Sequence, residues 1–167
     1  MEPAHDAWDL VKRFWLKEPA RITLPVNSFE ISLKLGIKVW ADDDLPPDVS
    51  GILRKEADFK NPEIFLNDID PYQQRLFTCA HALGHYVWNV EIGRGGVWEV
   101  VEGRDFFSTE LRDVEETYAT EFAAEMLMPR AALVEISGNP TVASLAAKFG
   151  VPGEVMRFRL DQIGWRR

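Results

Sequence analysis

Two of the chain's three histidines, His81 and His85, stand four residues apart inside one uninterrupted helical stretch at about residues 71–90. Nothing else in the sequence constrains the fold as strongly. Pro71 is tolerated in a first helical turn, where its missing N–H has no intrahelical partner. At 100° per residue, positions i and i+4 lie about 40° apart on one helical face. Imidazoles so placed can share one tetrahedral Zn²⁺. A bare His-x-x-x-His pair is equally compatible with two structural histidines at helical spacing, so the remaining ligands carry the argument.

Those ligands have few sources. The chain has 167 residues and a single cysteine, Cys79, which excludes both an internal disulfide framework and a cysteine-rich zinc knuckle. The third histidine, His5, is near the terminus, and Glu91, six residues after His85, faces away from His81 on the helix. A carboxylate on another helix remains. The stretch 113–127 supplies Glu115, Glu116, Glu121 and Glu125. Glu116 shares a face with Ala119, Thr120 and Ala123, and small residues there allow a partner helix to approach closely. Glu115 and Glu121 read as ordinary surface charge, and Cys79 and Tyr118 read as packing residues.

Around these helices the pattern is α+β. Residues 5–16 form an amphipathic helix. A second helix at 27–35 is capped at Asn27 or Ser28 and ended by Gly36. Three short strands are expected at 37–40, 50–55 and 63–67. The glycines at 93, 95, 96 and 103 make 93–107 a loop or hairpin. Two or three shorter helices finish the chain, after a break at Ser137-Gly138-Asn139-Pro140 that divides a body, 1–140, from an end segment, 141–167.

Charge follows that division. The net charge is −8 overall, but the body carries −11 and the end segment +3. An acidic body is not a nucleic-acid footprint. The end segment has a helix-turn-helix look, with Arg157 and Arg159 on its second helix, which keeps DNA contact as a secondary expectation. No apolar run reaches a membrane-spanning length, so no membrane partner is expected. Met1–Asp6 lacks the basic and apolar parts of a secretory leader, and the expected compartment is the cytoplasm.

The ordered set of short segments resembles the ImmA/IrrE-type zinc metallopeptidases, a gluzincin group, over about residues 20–163. It comprises Leu24-Pro25-Val26, Leu35-Gly36-Ile37-Lys38-Val39, Ser50-Gly51, Ile64-Phe65-Leu66-Asn67, and Phe77-Thr78-Cys79-Ala80-His81-Ala82-Leu83-Gly84-His85. Glu116 through Pro129 and Leu145-Ala146-Ala147-Lys148-Phe149-Gly150-Val151 complete it. The most specific run is Phe122-Ala123-Ala124-Glu125-Met126-Leu127-Met128-Pro129.

The resemblance implies a zincin-like fold: a small three-stranded sheet packed on an active-site helix and a second, ligand-bearing helix, with a helical C-terminal end. It implies Zn²⁺ held by His81, His85 and Glu116. It places Thr120, where the family usually has Asn, beside the ligands, and makes Ile64, Phe65, Leu66 and Asn67 a strand beside the site that receives an extended peptide along its edge. It implies a protein substrate, commonly a helix-turn-helix repressor. One departure touches the chemistry. The family's general-base glutamate, which follows the first histidine, is Ala82 here. The expectation is a metal-binding but nearly inactive protease scaffold, arising either as a natural pseudoenzyme or by replacement of the base. The alternative is a regulator that binds protein or associates with DNA without cleaving.

Overall fold

The computed structural model describes residues 1–16, 22–104 and 113–165. The chain runs α1 (Pro3–Phe14), α2 (Ser28–Lys34), β1 (Lys38–Asp42), β2 (Val49–Lys55), β3 (Glu63–Asn67) and α3 (Tyr72–Glu91). It continues with β4 (Trp98–Gly103), α4 (Val114–Leu127), α5 (Arg130–Val134), α6 (Val142–Phe149) and α7 (Gly153–Gln162). The α+β reading holds, with helix boundaries set by recognisable caps. The Asn27 side chain accepts from the backbone N–H groups of Phe29 and Glu30, and α2 stops at Gly36, whose φ of 78° suits glycine. Asp113 caps α4 by accepting from Glu116 N–H at 2.8 Å.

Among the described residues the sheet has four strands, not three, in the order β1-β3-β2-β4. β1 runs parallel to β3, while β2 is antiparallel to both β3 and β4. β4 falls in the segment expected to be loop or hairpin. Gly93 and Gly96 take positive φ in the connection before it, and Gly103 closes it, so these glycines flank the strand and do not break it. Its inward positions are Trp98, Val100 and Glu102. A glutamate on the buried side spoils the apolar alternation by which a strand is recognised.

β3 is interior, paired on one side with β1 and on the other with β2. This corrects the expectation that Ile64, Phe65, Leu66 and Asn67 offer an edge to a peptide, because their backbone hydrogen-bonding groups are already used by two neighbours. Ile64 and Leu66 are core residues, and the Asn67 amide donates to the carbonyls of Pro46 and Val49. The open edges among the described residues belong to β1 and β4.

α3 is the central element. Every residue from Leu76 to His85 is buried. It is covered by the sheet, by α2 and, most extensively, by α4. The α3–α4 contact is close because Gly84 has no side chain: a Cβ there would lie 2.7 Å from Ala119 Cα. This approach, built from the small residues noted in the sequence, brings the two candidate ligand helices together. Cys79, on another face of α3, sits in the core with Ser32 Oγ 3.3 Å from its sulfur.

Residues of α6 and α7 join the same hydrophobic cluster as the body, through Leu145, Phe149, Val155, Met156 and Leu160. Arg159 is buried, pairs with Glu125 of α4 and donates from Nε to the Met128 carbonyl at 3.1 Å. It is therefore an internal tie and not a phosphate contact. No helix among the described residues is long and apolar enough to cross a membrane.

Candidate metal centre

His81 and His85 point into the junction of α3, α4 and β4, with ring centroids 4.9 Å apart. Both Nε2 atoms face Glu116 on the first turn of α4. His81 Nε2 lies 3.1 Å from Glu116 Oε1, and His85 Nε2 lies 3.3 Å from Oε2. Thr120, one turn further along α4, places its Oγ1 3.2 Å from His81 Nε2. Four of the residues selected from the sequence, His81, His85, Glu116 and Thr120, are thus brought to one point. Ala82 is fully buried and offers the site no polar atom. His5 sits on α1, exposed, near Asp6 and Asp9.

Two further carboxylates were not singled out as site residues by the sequence. Glu102, 2% exposed, sets its Oε2 2.7 Å from His81 Nδ1. Glu115, expected to be plain surface charge, sets its Oε1 2.9 Å from His85 Nδ1 and accepts from Asn89 Nδ2 at 3.1 Å. Asn89 is in turn fixed by a hydrogen bond from Arg94 at 3.0 Å. Each histidine therefore has one nitrogen held by a carboxylate and the other directed at Glu116. That is how second partners orient histidine ligands at a metal. Glu115 could have been suspected from its place beside Glu116. Glu102 carries no local signal, since only the sheet brings it to α3.

The electrostatics couple the two histidines to the carboxylates around them. Burial works against protonation of His85, but hydrogen bonds to Glu115 and Glu116 and the charge of Glu102 outweigh it and raise its pKa to about 10. The same opposition, won by Glu102 and Glu116, raises His81. Glu116 is pushed well below the usual carboxylate range: its desolvation is overcome by the hydrogen bonds and charges of the two histidines. A bound metal replaces such protons, because imidazole coordinates only in its neutral form.

The donors fit a metal by a separate criterion. Glu102 Oε1 is buried and has no hydrogen-bond partner among the described residues, although His85 Nε2, which pairs with Glu116, lies 3.9 Å from it. One ligand atom from each of His81, His85, Glu102 and Glu116 can be chosen so that all lie within 4.8 Å of one another. Mixed imidazole and carboxylate donors suit Zn²⁺.

The model of the IrrE N-terminal-like domain family, Peptidase_M78, matches residues 33–161. The chain belongs to this family. The match spans β1 to α7 and so includes every residue of the cluster. A search of curated proteins gives no match. Among solved structures, a transcriptional regulator of Mycobacterium tuberculosis superposes with a TM-score of 0.57 at 20% identity. The superposition covers 95% of this chain and 46% of the regulator, so the chain spans about half of that protein's length. At this identity the likeness concerns the fold. Membership in the Peptidase_M78 family makes the chain a metallopeptidase-type scaffold, and the cluster on α3, α4 and β4 is a group that could hold a metal ion.

Proposed function

We propose that this chain is the zinc-binding scaffold of a metallo-endopeptidase that recognises a helix-turn-helix repressor, and that Ala82 leaves it nearly inactive. The observation that carries the reading is the convergence of both Nε2 atoms on the two oxygens of Glu116. His81, His85 and Glu116 would hold the metal, with the Thr120 hydroxyl beside His81 Nε2 and His81 oriented from Nδ1 by Glu102. When bound, Zn²⁺ would supply a Lewis acid for the peptide carbonyl and acidify water.

The remaining task falls on side chains. Hydrolysis needs a group that takes a proton from the attacking water and returns it to the leaving amine, and a methyl group can do neither. Loss of that group costs about 10²–10⁴-fold in rate. A peptide joining the sheet would do so at a free edge. β4 is the edge that brings Glu102 to the histidines, so we place the partner segment there and not on β3. Burial of Arg159 speaks against the DNA-binding alternative and leaves Arg157 as the exposed basic residue of α7. The protein is proposed to act in the cytoplasm, where repressors are found.

The test is cleavage of a co-encoded repressor by A82E, assayed alone and combined with E102Q because Glu102 shares the site, with zinc content measured on each protein. The expected result is cleavage by a glutamate-82 form and little by the parent. Zinc bound in both variants without cleavage would overturn the protease reading and favour a protein-binding regulator.

A further inference from the structure

Glu102 is the residue that the family pattern does not explain. It reaches the site from β4 and not from either ligand helix, and it is buried. Its two oxygens do different things. Oε2 is engaged by His81 Nδ1 at 2.7 Å. Among the described residues Oε1 has no hydrogen-bond partner, and it faces His85 Nε2, itself 3.3 Å from Glu116 Oε2, across 3.9 Å. That gap is too long for a hydrogen bond. It is within the span of two donors on one cation, each bonded at about 2.0–2.2 Å. A carboxylate oxygen left unsatisfied inside a protein is costly unless something sits against it.

We propose that Glu102 is a fourth metal ligand, giving a centre of two histidines and two glutamates that is closed by the protein itself. The inference rests on the reading of this cluster as a zinc site and goes beyond it. Structural zinc sites are filled by four protein ligands, whereas catalytic ones keep a position open for water or substrate. A closed centre and the absence of a base at position 82 have the same consequence: the chain retains its metal and does not turn over. Zinc then holds β4 against α3 and α4, and fixes the sheet edge at which a partner segment is proposed to dock.

The experiment uses the full chain with Zn²⁺ or Co²⁺ alone, and acetohydroxamate as the external ligand. Glutamine at position 102 still offers an amide oxygen to His81 Nδ1–H but is a poor metal ligand, so E102Q separates ligation from positioning. The expected loss of zinc affinity in E102Q, read by competition with a chelating dye, exceeds about 100-fold, beyond the 10–100-fold typical of losing an outer partner. The visible spectrum of the Co²⁺-loaded parent should be unchanged by acetohydroxamate, and that of E102Q should shift. A parent spectrum that responds to acetohydroxamate would show an open position and overturn the proposal, with no variant needed. Unchanged zinc affinity in E102Q would also overturn it while leaving the zinc site standing. A parent that binds no zinc is a different result, and removes the metal reading altogether.

Discussion

Replacing Gly84 with alanine adds one methyl group, and it should separate metal binding from stability. The new Cβ would lie 2.7 Å from Ala119 Cα, 3.1 Å from Ala119 O and 3.2 Å from Ala119 Cβ. Ordinary carbon contacts are about 3.5–4.0 Å, so α3 and α4 must part by about 1 Å. Overpacking of this kind costs about 1–3 kcal/mol. Alanine returns about 1 kcal/mol through its higher helix propensity. The net loss of about 0–2 kcal/mol corresponds to a drop in Tm of roughly 0–8 °C. The metal site is far less forgiving. Glu116 lies about one turn from Ala119 and moves with it, while His81 and His85 stay on α3. Metal–ligand distances tolerate only about 0.2 Å, so a shift of about 1 Å should cost at least about 100-fold in zinc affinity. Melting curves of parent and G84A, each with EDTA and with excess zinc, read both quantities. The expected outcome is a small change in the EDTA melt and loss of most of the zinc-induced rise. A G84A protein with the parent's full zinc response would refute the argument that this glycine sets the ligand geometry.

For the parent, zinc at about 1,000 times its Kd should add about 4 kcal/mol. That is a rise of roughly 8–16 °C in Tm, abolished by EDTA and by H81A or E116Q. Glu115→Gln, which weakens the hold on His85 Nδ1, should lower zinc affinity about 10–100-fold without changing the zinc stoichiometry measured by elemental analysis. Arg159→Ala strands Glu125 as a buried, unpaired charge, and should destabilise by about 3–5 kcal/mol in denaturant titrations while leaving the zinc increment intact. Burial pushes the Cys79 thiol up to about 11, from an ordinary 9.0. The unfolded chain releases that proton first, so stability should be full below pH 9 and fall by about 3 kcal/mol as the pH rises to about 11. C79A should flatten that slope, and an unchanged slope would show that another group titrates.

The helices could be read from the chain because their signals are local. Asn27, Gly36, Asp113, Thr141 and Gly150 act within a few residues of themselves, and each sits at a helix end. The histidine pair and Glu116 were legible for a related reason. Helical spacing fixes His81 beside His85, and the small face of 119 and 123 marks where α4 meets a partner. β4 was not legible, because a buried glutamate and flanking glycines disguise a strand whose stability comes from pairing with β2. The interior position of β3 was hidden too: a parallel neighbour, β1, is a fact of topology and not of the 63–67 sequence.

By itself the sequence determined the element types of the helical part, the absence of a cysteine-based metal site, the two imidazoles and the lack of a base at position 82. Each depends on residue identity and short-range periodicity. Tertiary structure alone added Glu102 and decided how closely Glu116 meets those imidazoles. Glu102 and Glu116 are separated from the histidines by long stretches of chain, and no periodicity links them. They converge because Gly84 admits α4 against α3, and because pairing with β2 brings β4 to the same histidines. Arg159 shows the same division from the other side: its charge is in the sequence, but its partner, Glu125, was chosen by the packing of α7 on α4.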